Sequence, residues 1–224
     1  MILEERAYIK MKFSKRMDLF GESIFTTLAN MRSERKKQGL EVIDLSIGAP
    51  NIPPTQEVME TIANEAMKPE NYLYAIKDAV DLQNTVKEWY ERRYGVTIDP
   101  ETEMTSLLGS QDGLAHLALT LVDEGDIVLV QDPCYPIFRD GPLLAGAKVV
   151  TMPLLKENDY LIDFDEINEK TAQDAKYMIV SYPNNPTCGV ANDEFYKKLI
   201  VFAKKYNIMI LHDNAYSELL FEGP

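Results

Sequence analysis

The chain has 224 residues, 46% hydrophobic and 26% charged, which places it with proteins that bury a core and away from disordered or collagen-like chains. Its 36 acidic against 23 basic residues leave a formal charge of -13, so the basic surface that nucleic-acid binding requires is missing. Two cysteines, Cys134 and Cys188, build neither a disulfide framework nor a four-cysteine zinc site, and no segment reaches the ~20 apolar residues of a membrane span.

The N-terminal stretch lacks a secretory pattern, so the cytoplasm is the expected location, with no membrane partner and no metal. As far as about Gly39 the chain reads as helix and arm, with Phe13, Met17, Phe20, Ile24, Phe25 and Leu28 at near-helical spacing. Turn formers at Gly48-Ala49-Pro50-Asn51 and Pro53-Pro54 then break it. Residues 1–45 are accordingly expected to form an arm or part of a small domain, and residues 46–224 a large domain. Thr55 opens an amphipathic helix carrying Val58, Ile62 and Met67, and a second helix runs from Ala79 through Leu82, Val86, Trp89 and Tyr90 to a stop at Gly95.

Beyond Gly95 the rhythm changes. Short apolar runs at Met104–Leu108, Ile127–Val130, Lys148–Met152, Tyr177–Val180 and Ile208–Leu211 alternate with helical stretches at Gln111–Val122, Pro133–Ala145, Phe164–Lys170 and Asp193–Tyr206. Continuously apolar strands between helices predict an α/β fold, with a mostly parallel sheet covered on both faces. In such sheets ligands bind beyond the carboxyl ends of the strands, so chemistry is sought in the residues that follow each run.

Those residues carry suitable groups. Gly109-Ser110-Gln111 opens a helix whose free amides and positive dipole end suit a phosphate dianion, although the same residues make an ordinary N-cap. Asp213 ends an apolar run, where a carboxylate is partly desolvated and needs a cationic partner such as a protonated pyridine nitrogen; a helix cap is the plainer role. Tyr216 follows within one turn and can face the same side. Asn185, beside Pro186, has an amide free to donate to a phenolate or simply forms a turn, and Tyr135 can stack on a planar ligand or pack in its loop. His116 reads as structural, and His212 as support for Asp213. Two histidines and no G-x-S-x-G argue against a serine hydrolase. Neither the P-loop nor the G-x-G-x-x-G dinucleotide pattern occurs.

Taken in order, Gly48-Ala49-Pro50-Asn51, Tyr72, Gly109-Ser110-Gln111, Pro133-Cys134-Tyr135, Asn184-Asn185-Pro186-Thr187 and Asp213-Asn214-Ala215-Tyr216 resemble the class I/II aminotransferases of pyridoxal-phosphate (PLP) fold type I, across essentially the whole chain. The resemblance implies the large domain of that fold, with a seven-stranded-type sheet sandwiched by helices and here incomplete, and PLP as cofactor. It implies that Ser110 and Gln111 hold the cofactor phosphate, Tyr135 stacks on the ring, Asn185 and Tyr216 bond the phenolic oxygen, and Asp213 pairs with the ring nitrogen. Tyr72, or Tyr74 in its place, would reach the phosphate of a partner subunit in a homodimer, and Gly48 with Asn185 would meet the substrate. The implied reaction moves an amino group from an amino acid to a 2-oxo acid.

The sequence departs from the family pattern in three places. Cys188 stands where Asn-Pro-Thr-Gly usually has glycine, a change expected to act on the turn while leaving Asn185 in place, and Asn214 replaces a glutamate beside the aspartate. The Schiff-base lysine and the later substrate arginine of the family have no match within the 224 residues. The expectation is therefore a fragment of a longer enzyme, inactive by itself and without a catalytic lysine of its own. A carbon–sulfur lyase or decarboxylase of the same fold and a non-catalytic PLP-fold module are the alternatives. Aspartate, alanine, aromatic and diaminopimelate-type donors all stay open.

Overall fold

The computed structural model describes residues 12–46, 48 and 52–219. The chain divides into two compact units, one of residues 22–106 and one of residues 1–21 with 107–224.

The 22–106 unit is helical among its described residues, with α1 (Ile24–Lys37), α2 (Gln56–Ala66) and α3 (Val80–Tyr94). Each sits where the sequence pattern places it. Gly95 ends α3 in the left-handed region at φ 64°, a conformation that costs an L side chain energy and glycine none. Arg32 of α1 pairs with Asp44, and Asp78 accepts from the backbone N–H and the hydroxyl of Ser106. Asp44 also accepts from the Ser46 hydroxyl at 2.6 Å and the Ser46 N–H at 3.0 Å, and these bonds, with Arg32, hold its carboxyl at about 2, while the Ser106 bonds hold Asp78 below the usual carboxylate range.

The other unit is the α/β layer. Four parallel strands, β1 (Ile127–Asp132), β2 (Lys148–Pro153), β3 (Ala175–Ser181) and β4 (Met209–Asp213), lie in the order β2-β1-β3-β4. The helices α4 (Ser110–Leu121), α5 (Pro136–Ala145), α6 (Glu169–Asp174) and α7 (Asp193–Tyr206) cover it. The apolar runs of β1 and β3 become the central strands, buried on both faces. Alternate residues divide between two cores: Leu129, Met178 and Val180 join Phe195 and Leu199 of α7, whereas Val128, Val130, Tyr177 and Ile179 join Phe138 of α5. At ~25 cal/mol per Å² of apolar surface, each large side chain buried in this way contributes roughly 2 kcal/mol.

Two expectations are corrected here. Met104–Leu108 forms no strand: it pairs with none of the four described strands, and Leu108 is 98% exposed, so the apolar run alone does not make a strand. The helix expected at 164–170 starts later, at Glu169, because the Asn168 side chain accepts the Thr171 N–H and caps it there.

From β1 the connection through α5 leads to β2 on one side, while β3 lies on the other. The chain direction thus diverges at the carboxyl ends of β1 and β3, the topological position at which doubly wound sheets leave a crevice. Among the described residues no helix is long and apolar enough to cross a membrane.

Candidate cofactor site

Six of the eight sequence-predicted residues, Ser110, Gln111, Tyr135, Asn185, Asp213 and Tyr216, belong to the α/β unit, and the structure links four of them directly. Asn185 Nδ2 donates to the Tyr216 hydroxyl at 3.1 Å, bringing the loop after β3 onto the turn after β4. The Tyr135 hydroxyl donates to Gln111 Oε1 at 2.9 Å, tying the start of α5 to the start of α4. Residues 215–218 form a turn rather than a helix, so Tyr216 reaches its partner by chain reversal.

Ser110 and Gln111 are the first residues of α4, whose 12 residues put a full set of aligned peptide dipoles behind their amides. Gly109 caps the helix at φ 91°, a left-handed backbone that delivers the chain into α4 at an angle an L side chain resists.

Asp213 is the last residue of β4 and pairs in register with Ser181 of β3. Desolvation pushes its carboxyl above the usual value, offset in part by the Ala215 N–H and by neighbouring His212. The His212 ring is in turn held below its ordinary value by burial, and its Nε2 lies 3.3 Å from the Tyr196 hydroxyl. A desolvated carboxylate whose hydrogen bonding is incomplete favours a cationic ligand nitrogen.

The loop after β3 is held by groups that sequence reasoning passed over. Asn184, almost fully buried, accepts at Oδ1 from the Thr187 N–H at 3.2 Å and the Thr187 hydroxyl at 2.8 Å, while its backbone closes on Gly189 and Cys188. Gln131, fully buried at the end of β1, accepts at Oε1 from the Ser181 N–H at 2.7 Å and from Asn184 Nδ2 at 3.4 Å. The Tyr182 hydroxyl donates to Tyr160 O and accepts from the Ile162 N–H, and burial pushes this phenol up to about 12. A polar residue closing an otherwise apolar strand was the available signal for Gln131.

Cys188 adopts φ 61°, the left-handed region that favours glycine. The cysteine thus stands, at the expected glycine position, on a backbone angle of the kind glycine adopts without cost. Gly48 and Tyr72 belong to the other unit. Gly48 is exposed, Ala49–Asn51 of its motif lie outside the described residues, and the Tyr72 hydroxyl donates to Ala66 O at 2.6 Å.

The donor set fits a phosphorylated pyridine. A helix N-terminus suits the dianion, an amide and a phenol converge at one point, and a desolvated carboxylate stands at the neighbouring strand end.

Comparison with known proteins agrees. Residues 41–224 match the family model described as aminotransferase class I and II. An LL-diaminopimelate aminotransferase of Aquifex aeolicus (strain VF5) is 42% identical over 209 residues, covering 93% of this chain and 54% of that protein. A probable N-succinyldiaminopimelate aminotransferase structure from Thermus thermophilus superposes with a TM-score of 0.84 at 33% identity, over 90% of this chain and 54% of that one. A single-mutant aspartate aminotransferase of Thermus thermophilus superposes with a TM-score of 0.86 at 26% identity, over 95% and 56%. The chain thus spans about half the length of the curated relatives it matches. It belongs to the class I and II aminotransferases, a family whose cofactor is pyridoxal phosphate.

Proposed function

We propose that these residues form the cofactor cradle of an aminotransferase that passes an amino group from an amino acid to a 2-oxo acid. The observation that carries this reading is the convergence of Asn185 and Tyr216 at 3.1 Å beside the desolvated carboxylate of Asp213. When bound, pyridoxal phosphate supplies an electron sink for a carbanion at the amino acid α-carbon.

The protein's part is to hold charge and protons in place. Asp213 keeps a proton on the pyridine nitrogen by fixing a negative charge next to it. The Asn185 amide and the Tyr216 hydroxyl donate to the phenolic oxygen, and the backbone amides and side chains of Ser110 and Gln111 hold the phosphate. Tyr135, whose hydroxyl is engaged by Gln111, has its ring orientation fixed and offers a stacking face.

The lysines at the strand starts do not serve this site. Lys148 begins β2 and Lys176 lies near the start of β3, at the opposite strand ends from Asp213, and Lys176 Nζ lies 3.6 Å from Asp126. We therefore propose that the 224-residue polypeptide takes up the cofactor reversibly. The name shared by relatives at 39–42% identity supports LL-diaminopimelate as the amino donor of the whole protein.

A homodimer completes the reading, with a tyrosine of one subunit reaching the phosphate of the other. Tyr74 suits this better than Tyr72. The Tyr72 proton is committed to Ala66 O, whereas Tyr74 is 92% exposed and has no hydrogen-bond partner among the described residues.

Titrating the purified polypeptide with pyridoxal phosphate tests the cradle. Saturable binding that Asp213→Ala abolishes, with no adduct fixed by borohydride, is expected. Absence of binding, or an adduct trapped on an internal lysine, overturns the reading. In the dimer, Tyr74→Phe is expected to weaken cofactor retention and Tyr72→Phe to leave it unchanged; the reverse result assigns the role to Tyr72.

A further inference from the structure

The hydrogen-bonded ladder between β1 and β3 runs from Ile127–Ala175 to Val130–Ile179 and stops there, two residues short of Ser181. Beyond that point a side chain takes over. Gln131, the residue after the last β1 position paired with β3, accepts at its carbonyl oxygen from the Ser181 N–H at 2.7 Å and from Asn184 Nδ2 at 3.4 Å.

We propose that Gln131 is a positioning residue for the cofactor-facing loop, setting where Asn185 and Asp213 stand relative to each other. The inference rests on the cradle described above but concerns a group outside it. One oxygen fixes two points of β3 and its loop. Ser181, held on the β1 side by Gln131, is on its other side the register partner of Asp213. Asn184, held by the same oxygen, immediately precedes Asn185, which reaches Tyr216.

The alternatives available to the chain show why an amide is needed. An apolar side chain would fit this 0% exposed position but would strand the Ser181 N–H without an acceptor. The amide satisfies it at a cost, since buried Gln131 Nε2 makes no hydrogen bond of good geometry among the described residues and has the Tyr182 phenol as its polar neighbour. A group that leaves its own donor poorly paired in a packed core is poorly explained by stability alone. Acting through the Ser181 N–H and Asn184, it is better explained by what the loop must present.

Three variants of the protein separate the possibilities. Gln131→Met keeps length and removes the acceptor; Gln131→Asn withdraws the acceptor by one methylene and serves if the methionine form does not fold. Gln131→Glu keeps an acceptor oxygen in either protonation state. The probe is pyridoxal phosphate itself, read by its dissociation constant and by the pH midpoint of its phenol in the bound absorbance, the group Asn185 donates to. Amide hydrogen exchange at Ser181 is read in the cofactor-free protein.

Faster Ser181 exchange, about tenfold weaker binding and a raised pH midpoint are expected for the methionine and asparagine forms, with recovery in the glutamate form. Unchanged exchange at Ser181, or binding and midpoint equal to wild type once the acceptor is gone, overturns the role of Gln131. A glutamate form no better than methionine overturns it as well. Wild-type protein that takes up no cofactor overturns the underlying cradle, and with it the purpose assigned to Gln131. That failure is distinguishable because it is seen before any variant is compared.

Discussion

Asn185 and Tyr216 lie 31 residues apart in sequence and meet through one hydrogen bond, amide to hydroxyl, at 3.1 Å. The bond joins loops at the carboxyl ends of two adjacent parallel strands, so it is available only once β3 and β4 have paired. It leaves one amide proton of Asn185 and the hydroxyl proton of Tyr216 to serve an acceptor placed between them. Replacing Asn185 with leucine, or Tyr216 with phenylalanine, is expected to weaken pyridoxal phosphate binding about tenfold, or roughly 1.4 kcal/mol, and to raise the pH midpoint of the bound absorbance. Equilibrium titration monitored by absorbance checks both.

Asp213 gives a prediction in pH. Its carboxyl is raised by desolvation, so in the cofactor-free fold its contribution to stability is fully present below the unfolded value of 3.8 and is lost as pH rises through the folded value. Neighbouring His212 is lowered, so its contribution is present above 6.5 and is lost as pH falls through its folded value. At neutral pH the charged aspartate is therefore a burden on the empty fold, and Asp213→Asn is expected to melt no lower than wild type there. The same change is expected to lower the pyridine pKa of bound cofactor by about one unit or more. Thermal melts across pH, with and without cofactor, would contradict this if the asparagine form lost stability at pH 7 while keeping the pyridine titration.

Cys188 bears a left-handed backbone angle, φ 61°, that costs an L side chain about 1 kcal/mol. Cys188→Gly is expected to relieve that strain and raise stability by about 0.5 kcal/mol after the extra freedom of glycine in the unfolded chain is counted. Cofactor affinity should stay unchanged, because the Asn184 contacts to Thr187 do not involve the cysteine side chain. Chemical denaturation of the two forms decides it.

Gly141 of α5 stands where a Cβ would meet the Leu114 carbonyl oxygen of α4 at 3.1 Å and Ala115 Cα at 3.5 Å. Both are backbone atoms that cannot swing aside. Gly141→Val is expected to force the helices apart and cost about 1–3 kcal/mol, measured by the denaturation midpoint.

Much of the architecture was legible because continuous apolar runs at 127–130, 148–152, 177–180 and 208–211 leave a strand few other options. The run at 104–108 carries the same signature and still forms no strand, because pairing depends on a neighbour that local composition cannot supply. The strand order was equally out of reach, since nothing in Lys148–Pro153 distinguishes an edge from a centre. The candidate site residues showed themselves as polar groups placed after apolar runs. Their supports were harder to see: Gln131 reads as one more residue before Asp132-Pro133, and only the packed β1–β3 pair gives its oxygen two donors. Cys188 read as a change acting on the turn, and the structure puts that residue at a left-handed backbone angle that sequence alone does not reveal.

The close crossing at Gly141 has a mechanical consequence. With backbone against backbone and no side chain between to act as a cushion, α4 and α5 tilt together. The Tyr135–Gln111 hydrogen bond at their leading ends locks the same pair a second time. In the proposed cradle the groups assigned to the phosphate and to ring stacking would therefore move as one, and adjustment to a ligand at these two helix starts would involve few independent side-chain motions.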